Sequence, residues 1–280
     1  MDRPAQEMEF GFPQEWEYFQ EHYQQFLEGM PHLKNALEST FIRTQNTPEQ
    51  VDVVIFFLGR TCTEDFWEIL LLCANGYGVG ALKVLRGMYE KAVTAWYLHL
   101  HPDETQNFLD YYWVAQRKIS NAIRQSFGDS VLPIAAVAET EENYQRVKSR
   151  FMVTDCKPCG TTRLNHTWSR LDFVAMAAQI DTLKEWIVPA YYIPTQQAHS
   201  TVRSIISRME EIEPGHLGFD SGPQRQYVRL ALSLAHNIVL NVLTLQKEHF
   251  ELDALDLQPV LEDFVNTWKG PDDLQAGKQP

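Results

Sequence analysis

A chain of 280 residues that is 44% hydrophobic and 12% aromatic has enough apolar mass for a sizeable core, which excludes disorder over most of its length. Its net charge of −13, from 24 basic and 37 acidic side chains, excludes a general nucleic-acid surface, because phosphate binding draws on clustered Lys and Arg. The opening "MDRPAQEMEFGF" has no apolar run behind its early arginine, so no secretory signal is expected; with four cysteines, this predicts a reducing cytoplasm rather than a disulfide scaffold.

Trp16, Phe19, Tyr23 and Phe26 recur at spacings of three and four, predicting a helix through "FPQEWEYFQEHYQQFLEGM" with one aromatic face. Thr47, Pro48 and Gln50 read as a capping-box start, and Thr63 with Glu64 and Asp65 as the start of a further helix ending at Asn75-Gly76. A strongly apolar helix follows from about Gly80 to His101, where Pro102 stops it, and Asp103 caps the next, which runs to Gly128. Residues 129–161 read as a less regular connection around one short helix. Helices resume at about Trp168, are interrupted at Pro189 and Pro194, and continue through "TQQAHSTVRSIISRMEE" to a loop over 215–223. A long apolar helix then reaches about Phe250, and a last one covers roughly Gln258 to Lys269. Within the long helix, Leu230 to Gln246 is 17 uncharged residues but contains His236, Asn237 and Asn241, which makes it a buried helix rather than a membrane span. With no convincing strand alternation, the expectation is an all-α bundle of about eight or more helices without a sheet, one domain over 1–268 with a flexible tail at 269–280.

The chemistry concentrates on three polar stripes. On the apolar helix, Arg86 and Glu90 share a face at i,i+4, with Lys83 on the same stripe. Acid before base would be the better helix pair, so local propensity does not explain the order. Buried charges need partners, so Arg86 and Glu90 form either a structural ion pair fixing helix register or the floor of a polar pocket between helices. Thr195, His199 and Arg203 recur every four residues as a second stripe; Arg229, Ser233, Asn237 and Asn241 form a third, with His236 one residue off it. Facing one another, the stripes would satisfy each other's donors and acceptors; taken singly, each is also consistent with a solvated face.

The sequence of "RGMYE" in an apolar helix, then "TWS", then "YYIPTQQAHS" resembles a bacterial helical family known only as a domain of unknown function, over roughly residues 50 to 210. The resemblance implies a helical bundle in which Arg86, Glu90, Trp168, Tyr192 and His199 occupy the recurring positions, and it supplies no reaction. The chain is also similar in general look to the HEPN proteins, helical dimers that include RNases. That likeness implies a pairing of Arg229 with His236, separated by six residues, with His236 as general base or acid and Arg229 stabilising a phosphate transition state. The residue after the arginine is usually polar in that pattern and is Leu230 here, and the acidic charge attracts RNA poorly.

Cys156 and Cys159 have zinc-knuckle spacing, with His166 seven residues on, but a fourth ligand must come from elsewhere, such as another protomer; the alternative is a loop with two free thiols. "GYGVG" follows a helix rather than a strand, which argues against dinucleotide binding, and no Glu-x-x-His pair exists for a di-iron bundle. The expectation is a cytoplasmic, dimeric, non-catalytic binding or regulatory module with a polar cluster of Arg86, Glu90, Trp168, Tyr192, His199 and Arg203. It needs no cofactor, zinc being the one its cysteines would admit, and no membrane or DNA partner. The alternative is a HEPN-like, metal-independent endoribonuclease or toxin, the only reading that brings in RNA.

Overall fold

A computed structural model of the chain describes residues 11–43, 49–156, 159–219 and 222–268, with the side chain of Cys156 excepted. The N-terminal ten residues, the Thr47–Pro48 helix start and the 269–280 tail lie outside the described residues. Backbone contacts divide the chain into two compact units, one of residues 1–97 and 177–280 and the other of residues 98–176.

In the first unit, the aromatic segment forms two helices, α1 (Pro13–His22) and α2 (Gln24–Phe41), because the backbone leaves helical geometry at Tyr23 (φ −120°, ψ 26°). Phe19 and Phe26 are buried on the two sides of that break, and Trp16 stays exposed. Helix α3 (Gln50–Ala74) is continuous through Thr63, which does not start a new helix. Instead the Thr63 hydroxyl is buried and donates back to the Gly59 carbonyl at 3.3 Å. The capping box of α3 is formed by Glu49 and Asp52, whose side chains each accept from the other's backbone N–H. After the turn at Gly76 (φ +74°) comes α4 (Gly78–Leu100).

The second unit contains α5 (Thr105–Phe127) and α6 (Ile134–Val147), followed by a hairpin of β1 (Met152–Cys156) and β2 (Thr161–Leu164), then α7 (Phe173–Ala177). Thus the stretch 129–161 holds a helix of 14 residues and most of a hairpin. Val114, Tyr144, Val147 and Phe151 form its core. Buried Asp110 accepts from Arg150, with Arg146 3.9 Å away, and Arg117 lies over the Tyr144 ring at 4.1 Å. Nine basic and nine acidic residues fall within 98–176, so this unit is neutral and the first carries the whole −13.

In the C-terminal part of the first unit, a π-helical turn, Ile187–Tyr192, leads into α8 (Ile193–Ala198), with Pro194 in its first turn. Helix α9 (Val202–Ile206) is short, and the chain then forms β3 (Met209–Glu213) and β4 (His216–Phe219) before α10 (Val228–His249) and α11 (Gln258–Trp268).

The protein is mostly helical, with 11 α-helices among the described residues, but the expectation of no sheet is incorrect: two antiparallel two-stranded sheets are present. The β-branched residues Val153, Thr154, Thr161 and Thr162 favour the first hairpin, and Gly160 turns it with φ +67°. The second hairpin turns at Pro214-Gly215, with Gly215 at φ +82°. Met209 opposes Phe219 and Glu211 opposes Leu217, while Ile212 falls at a register shift and lies over Gly218.

Helix α10 is the centre of the first unit, packing against α3, α2 and α11. Gly59 allows the close approach of α3: a Cβ there would lie 2.6 Å from Nε2 of the buried Gln246 and 3.1 Å from the Phe41 ring. The Gln246 amide in turn donates to the Ile55 carbonyl at 2.9 Å. The helical stretch Arg225–His249 is long and apolar enough to cross a bilayer by length and composition, and 67% of its most apolar window is buried inside the protein.

Candidate functional site

Two faces of α4 are closed. Ala81, Leu82, Leu85, Met88, Tyr89, Ala92 and Val93 are fully buried, and the Tyr89 hydroxyl donates to the Leu183 carbonyl at 2.9 Å. The remaining stripe, Lys83, Gly87, Glu90 and Thr94, is exposed or half-buried. Arg86 lies on its edge with its side chain 27% exposed, donating from Nη2 to Glu90 Oε1 at 3.0 Å. Its guanidinium sits over the Tyr191 ring, 5.1 Å from the centroid, and its buried Nε has no hydrogen-bond partner among the described residues. Burial raises the Glu90 carboxyl above the ordinary carboxylate range, with Arg86 pulling the other way. On the flank, Lys91 reaches Asp65 of α3 at 2.5 Å.

A pair this open to solvent contributes about 0–1 kcal/mol, so Arg86 and Glu90 do not hold the fold. Gly87, between them, is also unexplained by internal packing: a Cβ there would meet nothing within 4 Å. A glycine in a helix interior costs roughly 0.5–1 kcal/mol relative to alanine, yet among the described residues no contact requires this one.

The expected cluster is assembled only in part. Tyr192 is exposed and packs edge-on against Tyr191, whose ring carries Arg86. His199 and Arg203 do not continue a stripe from Thr195, because α8 ends at Ala198 and α9 starts at Val202. Both are exposed, and among the described residues no hydrogen bond or ion pair joins either to Arg86 or Glu90. Trp168 belongs to the other unit, where its ring meets Phe108 edge-on and lines a cavity of about 170 Å³ with Asn107, Arg150 and Arg170.

Arg229 and His236 face different surroundings. Arg229 is exposed on the first turn of α10. His236 is 4% exposed and surrounded by Phe26, Phe66, Phe264 and Trp268, with ring centroids 5.1–6.5 Å away. Its Nδ1 accepts from the Trp268 indole N–H at 3.1 Å, which makes Nε2 the protonated nitrogen of the neutral ring, and Nε2 is buried without a partner among the described residues. Burial lowers its pKa to about 4, weakly opposed by Asp263. A neutral imidazole sealed among rings is poorly placed for acid–base chemistry on a phosphodiester.

In the cysteine loop, Cys159 is disulfide-bonded, with Sγ 3.2 Å from the Thr161 hydroxyl, while Cys62 and Cys73 are free and buried. His166 is exposed, its backbone N–H donating to Asn165 Oδ1. A cavity of about 700 Å³ in the first unit, lined by His32, Asn35, Ser39, Asp253 and Asp256, contains none of the residues that sequence reasoning selected. What that reasoning missed is Tyr191, the opening at Gly87, and the Asp65–Lys91 pair beside the stripe.

Fold and site together define a mainly helical protein that presents a half-open ionic stripe on an otherwise buried helix. The chain belongs to DUF5677, a family of unknown function, which matches residues 52–216. That span contains α4 and the "YYIPTQQAHS" segment. No curated protein and no solved structure matches the chain.

Proposed function

We propose that this protein is a non-catalytic regulatory module of the cytoplasm that works through protein–protein contact at the Arg86–Glu90 stripe of α4. The observation that carries this reading is the exposure of the stripe: an ion pair and a glycine with no internal duty sit half in solvent on a helix whose other faces are sealed. The same reading involves neither membrane nor DNA. It needs no cofactor; zinc would require Cys156 and Cys159 as thiolates together with His166, in place of the disulfide that Cys159 forms here.

The competing reading is a HEPN-like endoribonuclease using Arg229 and His236, and no contact in the structure favours it. Incubating the wild-type protein and its H236Q variant with single-stranded RNA separates the two. Neither is expected to cleave. Cleavage by wild type that H236Q abolishes, with the fold retained by circular dichroism, would sink the non-catalytic reading.

A further inference from the structure

Gly87 is a place where another backbone could come close to α4, and the charges on either side of it specify how. Lys83 lies one turn before the glycine and Glu90 one turn after it, on the same partly open stripe. Lys83 has no ion-pair partner among the described residues; Glu90 is held by Arg86 on one side and open on the other.

We propose that the α4 stripe centred on Gly87 is a two-fold, antiparallel contact with α4 of a second copy of this chain, in which Lys83 of each copy meets Glu90 of the other. This rests on the reading of the stripe as a protein-contact face and names its partner. Opposite charges at nearly equal distances on either side of a gap are self-complementary under a two-fold axis, since reversing the helix places each charge against its opposite. Parallel pairing would instead set lysine against lysine. A partner surface of a single sign would repel one of the two charges, whereas a second copy satisfies both. The glycine supplies the close approach, because helix separation is set by the side chains at the crossing. Tyr192 (48% exposed), packed against the Tyr191 ring that lies by Arg86, adds apolar surface beside the stripe. Burial already raises the Glu90 carboxyl, and a second cation beside it would work with Arg86 to favour the charged form.

The test is sedimentation equilibrium of the full chain and its variants over a wide concentration range, with thermal unfolding as a control. Wild type is expected to be a dimer. G87W places a bulky side chain where the chain itself offers open space, so it should remain folded while weakening dimerisation on the order of tenfold or more. K83E and E90K should each weaken self-association by putting like charges face to face. Mixed with one another, they should form heterodimers, because opposite charges then meet at both positions. A monomeric wild type overturns the proposal, as does a dimer whose dissociation constant G87W leaves unchanged, for example one held by the exposed β3–β4 hairpin. Neither result bears on RNA cleavage, so failure here is distinguishable from failure of the non-catalytic reading.

Discussion

Two glycines in the first unit, Gly59 on α3 and Gly87 on α4, have opposite surroundings. At Gly59 the space for a Cβ is taken by Gln246 and Phe41, and the residue is required by the α3–α10 packing around it. At Gly87 that space is empty to at least 4 Å. Two mid-helix glycines, equal in local cost, therefore record different constraints: one belongs to the closed interior, the other to a surface awaiting a neighbour. The polar residues follow the same division. His236 on α10 is enclosed by rings and neutral, whereas Arg86 and Glu90 on α4 form an ion pair partly in water.

The largest effect is expected on the closed side. His236→Ala removes a ring from the Phe26, Phe66, Phe264 and Trp268 cluster together with the acceptor for the Trp268 indole, and should lower unfolding free energy in denaturant by about 3 kcal/mol. A loss of only a few tenths would mean that this region is not closed. Protonation tests the same residue. Between pH 6.5 and about 4 the unfolded chain binds a proton that folded His236 refuses, so its contribution to stability falls as pH drops through that window, by roughly 3 kcal/mol at the lower end. H236Q should flatten that part of the stability–pH curve.

Gly59→Ala comes next, with an expected loss of about 1–3 kcal/mol from overpacking against Gln246 and Phe41. A double-mutant cycle with Q246A should recover part of it. Gly87→Ala should change sign, stabilising the chain by about 0.5–1 kcal/mol when measured dilute enough to be monomeric. If both alanine variants destabilise alike, the distinction between the two glycines collapses. Smallest of all, Arg86→Ala should shift unfolding by less than about 1 kcal/mol, since its ion pair is partly solvated.

Periodicity made α4 and α10 legible, because their apolar residues recur on more than one face over six turns. The Arg86–Glu90 pair was legible for the same reason, being local to one helix. The hairpins were not. Met209, Glu210 and Glu211 are helix formers, and alternation over four or five residues is too short to outweigh them, although Pro214-Gly215 signals the turn. The surroundings of His236 were also out of reach, since its rings come from α2, α3 and α11, as much as 210 residues away in Phe26. The same holds for Tyr191, whose place over Arg86 follows from a π-helical turn that carries no sequence signature of its own.

The apolarity of α10 has a consequence for the order of synthesis. A segment with the length and composition of a membrane span is hazardous when it emerges without a protein surface to cover it. Here α2 and α3 precede α10 by more than 150 residues, so two of the helices that bury it leave the ribosome first. The late position of α10 makes it the element that closes a waiting half-core, with α11 laid over it afterwards.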